Sequence, residues 1–136
     1  MPQPNGLNPH LYGLTMEALQ LTPDDSASSI NSIPPSARVV RLGANVNGVT
    51  DFTVLPSLAD VPDGHQITII AGAANSELRT PAGSDEEINS ENSDGTKEAL
   101  LTATNIHFLT KIDNTIGWML EARTAIGAYV TAIVPD

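Results

Sequence analysis

The chain has 136 residues, of which 40% are hydrophobic, and this length and composition suit one domain of ordinary size. Sixteen acidic and six basic side chains give a net charge of −10 at pH 7, which opposes binding to phosphate backbones, so we expect no nucleic-acid partner. The chain has no cysteine, which excludes disulfides and cysteine-ligated metals. No apolar run approaches membrane-spanning length and the N-terminus lacks the features of a signal peptide, so we expect no membrane partner and synthesis in the cytoplasm of the producing cell.

The first 36 residues differ in composition from the rest. They hold six of the ten prolines and neither Lys nor Arg, which is typical of an extended arm. Residues 14–21 predict a short helix within this arm, with Thr15 as its N-cap. The arm is also richer in large apolar side chains than a solvated tail would be. We therefore predict that these side chains bind a second protein: Leu7, Leu11, Tyr12, Leu14, Met16, Leu19 and Leu21.

From Ala37 onward, short apolar runs alternate with turn signals. The dipeptide Asn47-Gly48 predicts a type I′ hairpin between strands at residues 38–45 and 49–55. Further strands are predicted at residues 65–71, 78–80, 98–102, 105–112, 115–121 and 127–134. The predicted fold is all-β: a jelly-roll-like β-sandwich over residues 37–136 that follows the extended arm of residues 1–36. Phe108 and Trp118 alternate with aliphatic residues, so both are predicted to face the same core.

The sequence offers little chemistry. No two of the three histidines stand at a metal-ligand spacing. The acidic segment from Asp85 to Asp94 lacks the ladder of a calcium loop, and we predict an exposed loop with at most a brief strand at residues 87–89 and without a functional metal. The chain has neither a glycine-rich phosphate loop nor a nucleophile elbow. We therefore predict no catalytic residue, no cofactor and no enzymatic activity.

One segment clearly predicts a loop followed by a strand. Residues 55–70 read LPSLADVPDGHQITII, in which two prolines and Asp63-Gly64 frame a loop before a strand. An Ile88-Asn89 corner and a Gly117-Trp118 strand follow. Together these features resemble a recurrent pattern of small trimeric β-proteins of tailed-phage virions, which occur as capsid decoration proteins and in fibres. The resemblance covers about residues 51–120 and departs from the pattern in lacking Gly after Asn89.

The resemblance implies a non-enzymatic virion structural protein. Its expected form is a homotrimeric capsid decoration, or cement, protein on the capsid exterior, with the major capsid protein and further copies of itself as partners. A head- or tail-fibre adhesin module that recognises a host surface is the alternative within virions. A jelly-roll lectin or carbohydrate-processing enzyme is the alternative from another class.

Overall fold

The computed structural model describes residues 18–48, 51–72, 76–92, 98–130, 133 and 135, and these are mostly strands and turns. A short 3-10 turn spans Leu58–Asp60. The strands are β1 (Leu19–Leu21), β2 (Val39–Leu42), β3 (Phe52–Val54), β4 (Gln66–Ile70), β5 (Ser76–Arg79), β6 (Glu87–Ile88), β7 (Glu91–Asn92), β8 (Ala99–Leu101), β9 (Ile106–Asp113) and β10 (Gly117–Arg123). The β-rich class predicted from the sequence is therefore confirmed.

The strands form two mixed sheets. The larger has the order β1-β2-β4-β9-β10-β6-β7, and the smaller has the order β3-β5-β8. β2 pairs in parallel with β1 and β4, β3 pairs in parallel with β5, and β6 with β10. A jelly roll is built from antiparallel pairs, so these parallel pairs differ from the jelly-roll prediction.

The two sheets share one hydrophobic core. Val40, Ile67 and Trp118 of the larger sheet and Leu78 and Leu101 of the smaller sheet are all fully buried in it. In β2, β4, β9 and β10, buried residues alternate with more exposed ones, as the period of two in a strand requires. The larger sheet therefore has one face against the core and one face directed away from it.

The predicted Asn47-Gly48 hairpin is wrong, because β2 and β3 belong to different sheets. The carboxylate of Asp51 is buried and accepts a hydrogen bond from the Asn47 N–H at 2.7 Å. The side chain of Asn45 donates to the Gly48 carbonyl at 2.6 Å. Side-chain bonds to the backbone thus organise a loop here in place of a two-residue turn, and β2 pairs with β4 instead.

The N-terminal region also differs from its prediction. Residues 19–21 form β1 and not the end of a helix, because pairing with β2 aligns Leu19 with Val40 and Leu21 with Leu42. Leu21 is 7% exposed in the core, and Ile33 further along is buried there too. Residues 19–36 therefore pack as part of the folded body. The other predicted binding residues lie outside the described residues: Leu7, Leu11, Tyr12, Leu14 and Met16.

Candidate interaction surface

A buried lysine holds the loop between β3 and β4, residues 55–65, which carries the sequence motif and which we call the motif loop. Lys111 of β9 is 4% exposed, and its ammonium donates to the carbonyls of Leu58 at 2.7 Å and Val61 at 2.8 Å. The same Nζ lies 3.1 Å from a carboxylate oxygen of the largely exposed Asp63. The charge of Lys111 is therefore used to hold the loop, and this ammonium is not offered to a ligand.

Glu86 holds the same loop from the other side. Its carboxylate accepts hydrogen bonds from the Ser57 hydroxyl at 2.8 Å and from the Leu58 N–H at 2.9 Å. Glu86 belongs to the acidic segment that was predicted to be an exposed loop. This part of the segment is structural.

The next residues of the acidic segment form a tight hairpin. β6 and β7 pair antiparallel, and the two turn residues, Asn89 and Ser90, have positive φ angles of 54° and 64°. The Asn89 side chain donates to the carbonyls of Leu120 and Ile133 and accepts from the Leu120 N–H at 2.7 Å. The Ile-Asn corner recognised in the sequence therefore ties the hairpin to β10 and to the C-terminal segment. The brief strand predicted within residues 87–89 is confirmed by β6, whereas the prediction of exposure is wrong at Ile88, which is fully buried.

Two histidines are buried in the body. His65 is 3% exposed, makes an edge contact with Trp118 at 6.2 Å between ring centroids, and lies against the Arg38 guanidinium. Burial and the charge of Arg38 lower the pKa of His65. Burial also lowers the pKa of His107. In the described ranges, no group of three or more His, Asp or Glu side chains is placed to hold a metal ion.

A broad surface remains on the side of the larger sheet that faces away from the core. It is formed by the residues that alternate with the buried ones on β2, β4, β9 and β10, and we call it the outer face. Its twelve residues are Val39, Arg41, Gln66, Thr68, Ile70, Ile106, Phe108, Thr110, Ile112, Met119, Glu121 and Arg123.

Strand register places apolar residues side by side on the outer face. Ile106 lies beside Ile70, and the row they form ends in Arg123 on one side and Arg41 on the other. In the neighbouring row, Phe108 lies between two polar residues, Thr68 of β4 and Glu121 of β10. The surface therefore has an apolar centre between two guanidinium groups.

The outer face differs in charge from the rest of the molecule. One of the twelve residues of the outer face is acidic, Glu121, whereas the chain as a whole has sixteen acidic and six basic residues. Two of the six basic residues, Arg41 and Arg123, also lie there. A strongly acidic protein thus carries a locally basic, half-apolar surface.

Exposed apolar side chains extend this surface along β10. Met119 is 53% exposed on the outer face itself. Beyond the end of β10, Tyr129 is 69% exposed and stacks under the Arg123 guanidinium at 4.1 Å, while Ile126 in the adjoining turn is 93% exposed. Apolar surface is therefore open to solvent at this edge of the outer face, beside the charged residues Glu121 and Arg123.

A second apolar feature lies at the opposite edge of the larger sheet. An open cavity of about 510 Å³ borders β1. We call it the β1 groove, and its apolar walls include Leu19, Leu21, Ile33, Pro34, Val54 and Pro56.

The predicted site residues are divided by the structure. Leu19 and Leu21 line the β1 groove from within the folded body, and the remaining five lie outside the described residues. The outer face was missed because Phe108 was assigned to the core. Alternation on β9 in fact buries His107, Leu109 and Lys111 and leaves Phe108 on the outer face. Polar residues are seldom fully buried unless they are paired, so nothing in the sequence favoured placing His107 and Lys111 on the buried face of β9.

Comparison of the chain with protein-family models and with curated proteins finds no match. No helix in the described part of the chain is long and apolar enough to cross a bilayer.

Proposed function

We propose that this chain is a non-enzymatic structural protein of a phage virion: a homotrimeric decoration or cement protein that binds the exterior of the capsid shell. The observation that carries the proposal is the outer face, a half-apolar and nearly acid-free surface on a chain of net charge −10. The assignment to a virion rests, in addition, on the sequence resemblance of residues 51–120 to phage virion proteins.

The composition of the outer face is typical of a protein–protein contact. Such contacts are enriched in aromatic residues, Met and Arg and are depleted of Lys, Glu and Asp. The outer face has Phe108, Met119 and two arginines, and one acidic residue. Met119 is exposed and the other apolar residues of the outer face are half-buried, so a partner would cover the apolar area that remains accessible.

The occupant we propose for the outer face is a second copy of the chain. In a two-fold contact centred on the row from Arg41 to Arg123, with the axis along or across that row, the guanidinium groups of one copy would face those of the other, and like charges repel. A contact between the outer face and another, acidic surface of the next copy pairs opposite charges. Such head-to-tail contacts close into rings, and a trimer is one such ring.

The proposed action on the shell is mechanical. We propose that the two sheets are the layers of a sandwich, whose core is made rigid by the Lys111 and Glu86 anchors. A rigid trimer that spans neighbouring capsomers adds buried area across the seams between them. Three linked copies also bind a repeating lattice more tightly than one copy, because the second and third contacts are intramolecular. The apolar residues that precede β1 remain proposed binding residues for a second protein, either the shell or a neighbouring copy. They are Leu7, Leu11, Tyr12, Leu14 and Met16.

The test is sedimentation of the purified protein with undecorated shells of the phage that encodes it. Wild-type protein should sediment with the shells. Phe108→Glu should weaken shell binding at least about tenfold because it disrupts the trimer, whereas Thr115→Glu, in an exposed turn away from the outer face, should bind like wild type.

Two results would overturn the decoration function. The first is failure of the wild-type protein to sediment with shells. The second is binding to intact host cells in place of shells, which would favour the adhesin.

A further inference from the structure

We propose that the edge of β1 and the β1 groove accept an extended N-terminal segment, residues 11–17, from a neighbouring copy of this chain. This inference rests on one part of the proposed function, which is that several copies of the chain assemble.

The backbone of β1 provides the first part of the site. β1 is the outermost strand of the larger sheet, and among the described residues the strand it pairs with is β2. An edge strand presents unpaired N–H and C=O groups, to which an extended peptide adds as a further strand. The next residue, Thr22, donates its N–H to the Ile30 carbonyl at 2.8 Å, so the available edge is short.

The β1 groove provides the second part. Its volume of about 510 Å³ lies within the range of pockets that enclose ligands. Leu19 and Leu21 form one wall, and Ile33, Pro34 and Pro56 contribute the others. A strand added at the edge of β1 would direct alternate side chains toward these apolar walls.

The N-terminal segment has the sequence pattern that such a site selects. Tyr12, Leu14 and Met16 are apolar at every second position, separated by Gly13 and Thr15. This alternation fits an extended strand with one apolar face. No residue of this stretch carries a charge until Glu17, so the inserted residues bring no charge into the groove, whose lining includes one carboxylate, that of the exposed Asp60.

The connection to β1 favours a neighbouring copy over the chain's own groove. If the segment folded back on its own β1, it would need a tight hairpin between Met16 and Leu19. Glu17 and Ala18 would then be the two turn residues, and two-residue hairpin turns require positive φ, which Gly, Asn and Asp accept and these residues do not. A segment that continues outward from β1 avoids this turn. In a ring of copies, each chain then donates one segment and accepts another.

A pair of cysteines in the full-length chain tests this directly, because the chain has none of its own. In the double variant Leu14→Cys/Ser32→Cys, one cysteine is on the segment and the other on the groove wall. Mild oxidation should give a ladder of disulfide-linked oligomers on a non-reducing gel. Leu14→Cys/Thr115→Cys is the matched control, and it should give little ladder because Thr115 lies in an exposed turn between β9 and β10.

Several results would overturn the inference. A disulfide within one chain would place the segment in its own groove, and failure to form a disulfide would leave the groove without this occupant. A ladder of equal yield in the control would indicate random collision.

A second pair of variants tests the alternation. Leu14→Asp should raise the dissociation constant of the trimer about tenfold or more, because it puts a charge into the groove, whereas Thr15→Asp on the opposite face should leave it nearly unchanged. Equal effects of the two variants would contradict the strand geometry. A disulfide ladder in a protein that fails to sediment with shells would retain this inference and overturn the decoration function. Shell binding without a ladder would retain the decoration function and overturn this inference.

Discussion

Trp118 and Phe108 are the two largest side chains of β10 and β9, and the structure gives them opposite roles. Trp118 is fully buried in the shared core, whereas Phe108 lies on the outer face. Trp118→Ala should therefore lower the free energy of unfolding by about 3–5 kcal/mol. Phe108→Ala should lower it by roughly 1 kcal/mol or less when the chains are dissociated. Denaturant titrations at low protein concentration measure both values, and equal losses would contradict the assignment of faces.

The buried state of His107 makes stability depend on pH. Its Nε2 accepts the Thr102 N–H at 3.2 Å and its Nδ1 lies 3.3 Å from the Ile69 carbonyl, which is the pattern of a neutral ring. A proton on Nε2 would point at the Thr102 N–H and remove that hydrogen bond, which disfavours the charged ring. Burial accordingly lowers the pKa of His107 below its ordinary value of 6.5.

The sign of the effect follows from proton binding. As the pH falls below 6.5, the unfolded chain binds a proton at this histidine before the folded chain does, so folding stability decreases. We expect the melting temperature to fall between pH 7.5 and pH 5.5, and less steeply in His107→Gln. The pKa of His65 is also lowered, so part of the slope should remain in that variant. A melting temperature that rises over this interval would contradict the account.

At the scale of elements, the motif loop depends on one side chain of β9. Lys111→Met keeps most of the apolar stem but leaves the carbonyls of Leu58 and Val61 without their donor. We expect a loss of roughly 2–5 kcal/mol in the free energy of unfolding. Asp63→Asn is the matched control, because this carboxylate is 67% exposed and its pairing with Lys111 should contribute less than about 1 kcal/mol. Similar losses in both variants would show that the ion pair, and not the carbonyl contacts, holds the loop.

Local signals predicted some elements well and others poorly. The β9–β10 hairpin and β4 were predictable, because long alternating runs are bounded by clear turn residues. The Asn47-Gly48 hairpin and the helical conformation predicted for residues 19–21 are wrong for a common reason: contacts with residues distant in sequence decide both structures. The buried Asp51 carboxylate reorganises the first, and pairing with β2 makes residues 19–21 extended. A sequence pattern holds no information on a partner strand that lies elsewhere in the chain.

At the scale of the whole molecule, the important feature is the separation of charge. Among the residues that the structure describes, Glu121 is the acidic residue on the outer face, and this separation depends on which residues of β9 and β10 face inward. The sequence therefore predicts the high net charge but not its distribution. The β1 groove was equally beyond prediction, since its walls come from β1, the Pro34 turn and the motif loop, which only the fold brings together.

The central claim is that the protein assembles through its outer face. Light scattering of the purified full-length protein at micromolar concentration tests this most directly. We expect a mass three times the chain mass of 14.3 kDa for the wild type and for Thr115→Glu, and a shift toward a single chain mass for Phe108→Glu with its fold intact. A wild-type protein that has the mass of one chain under these conditions would contradict it.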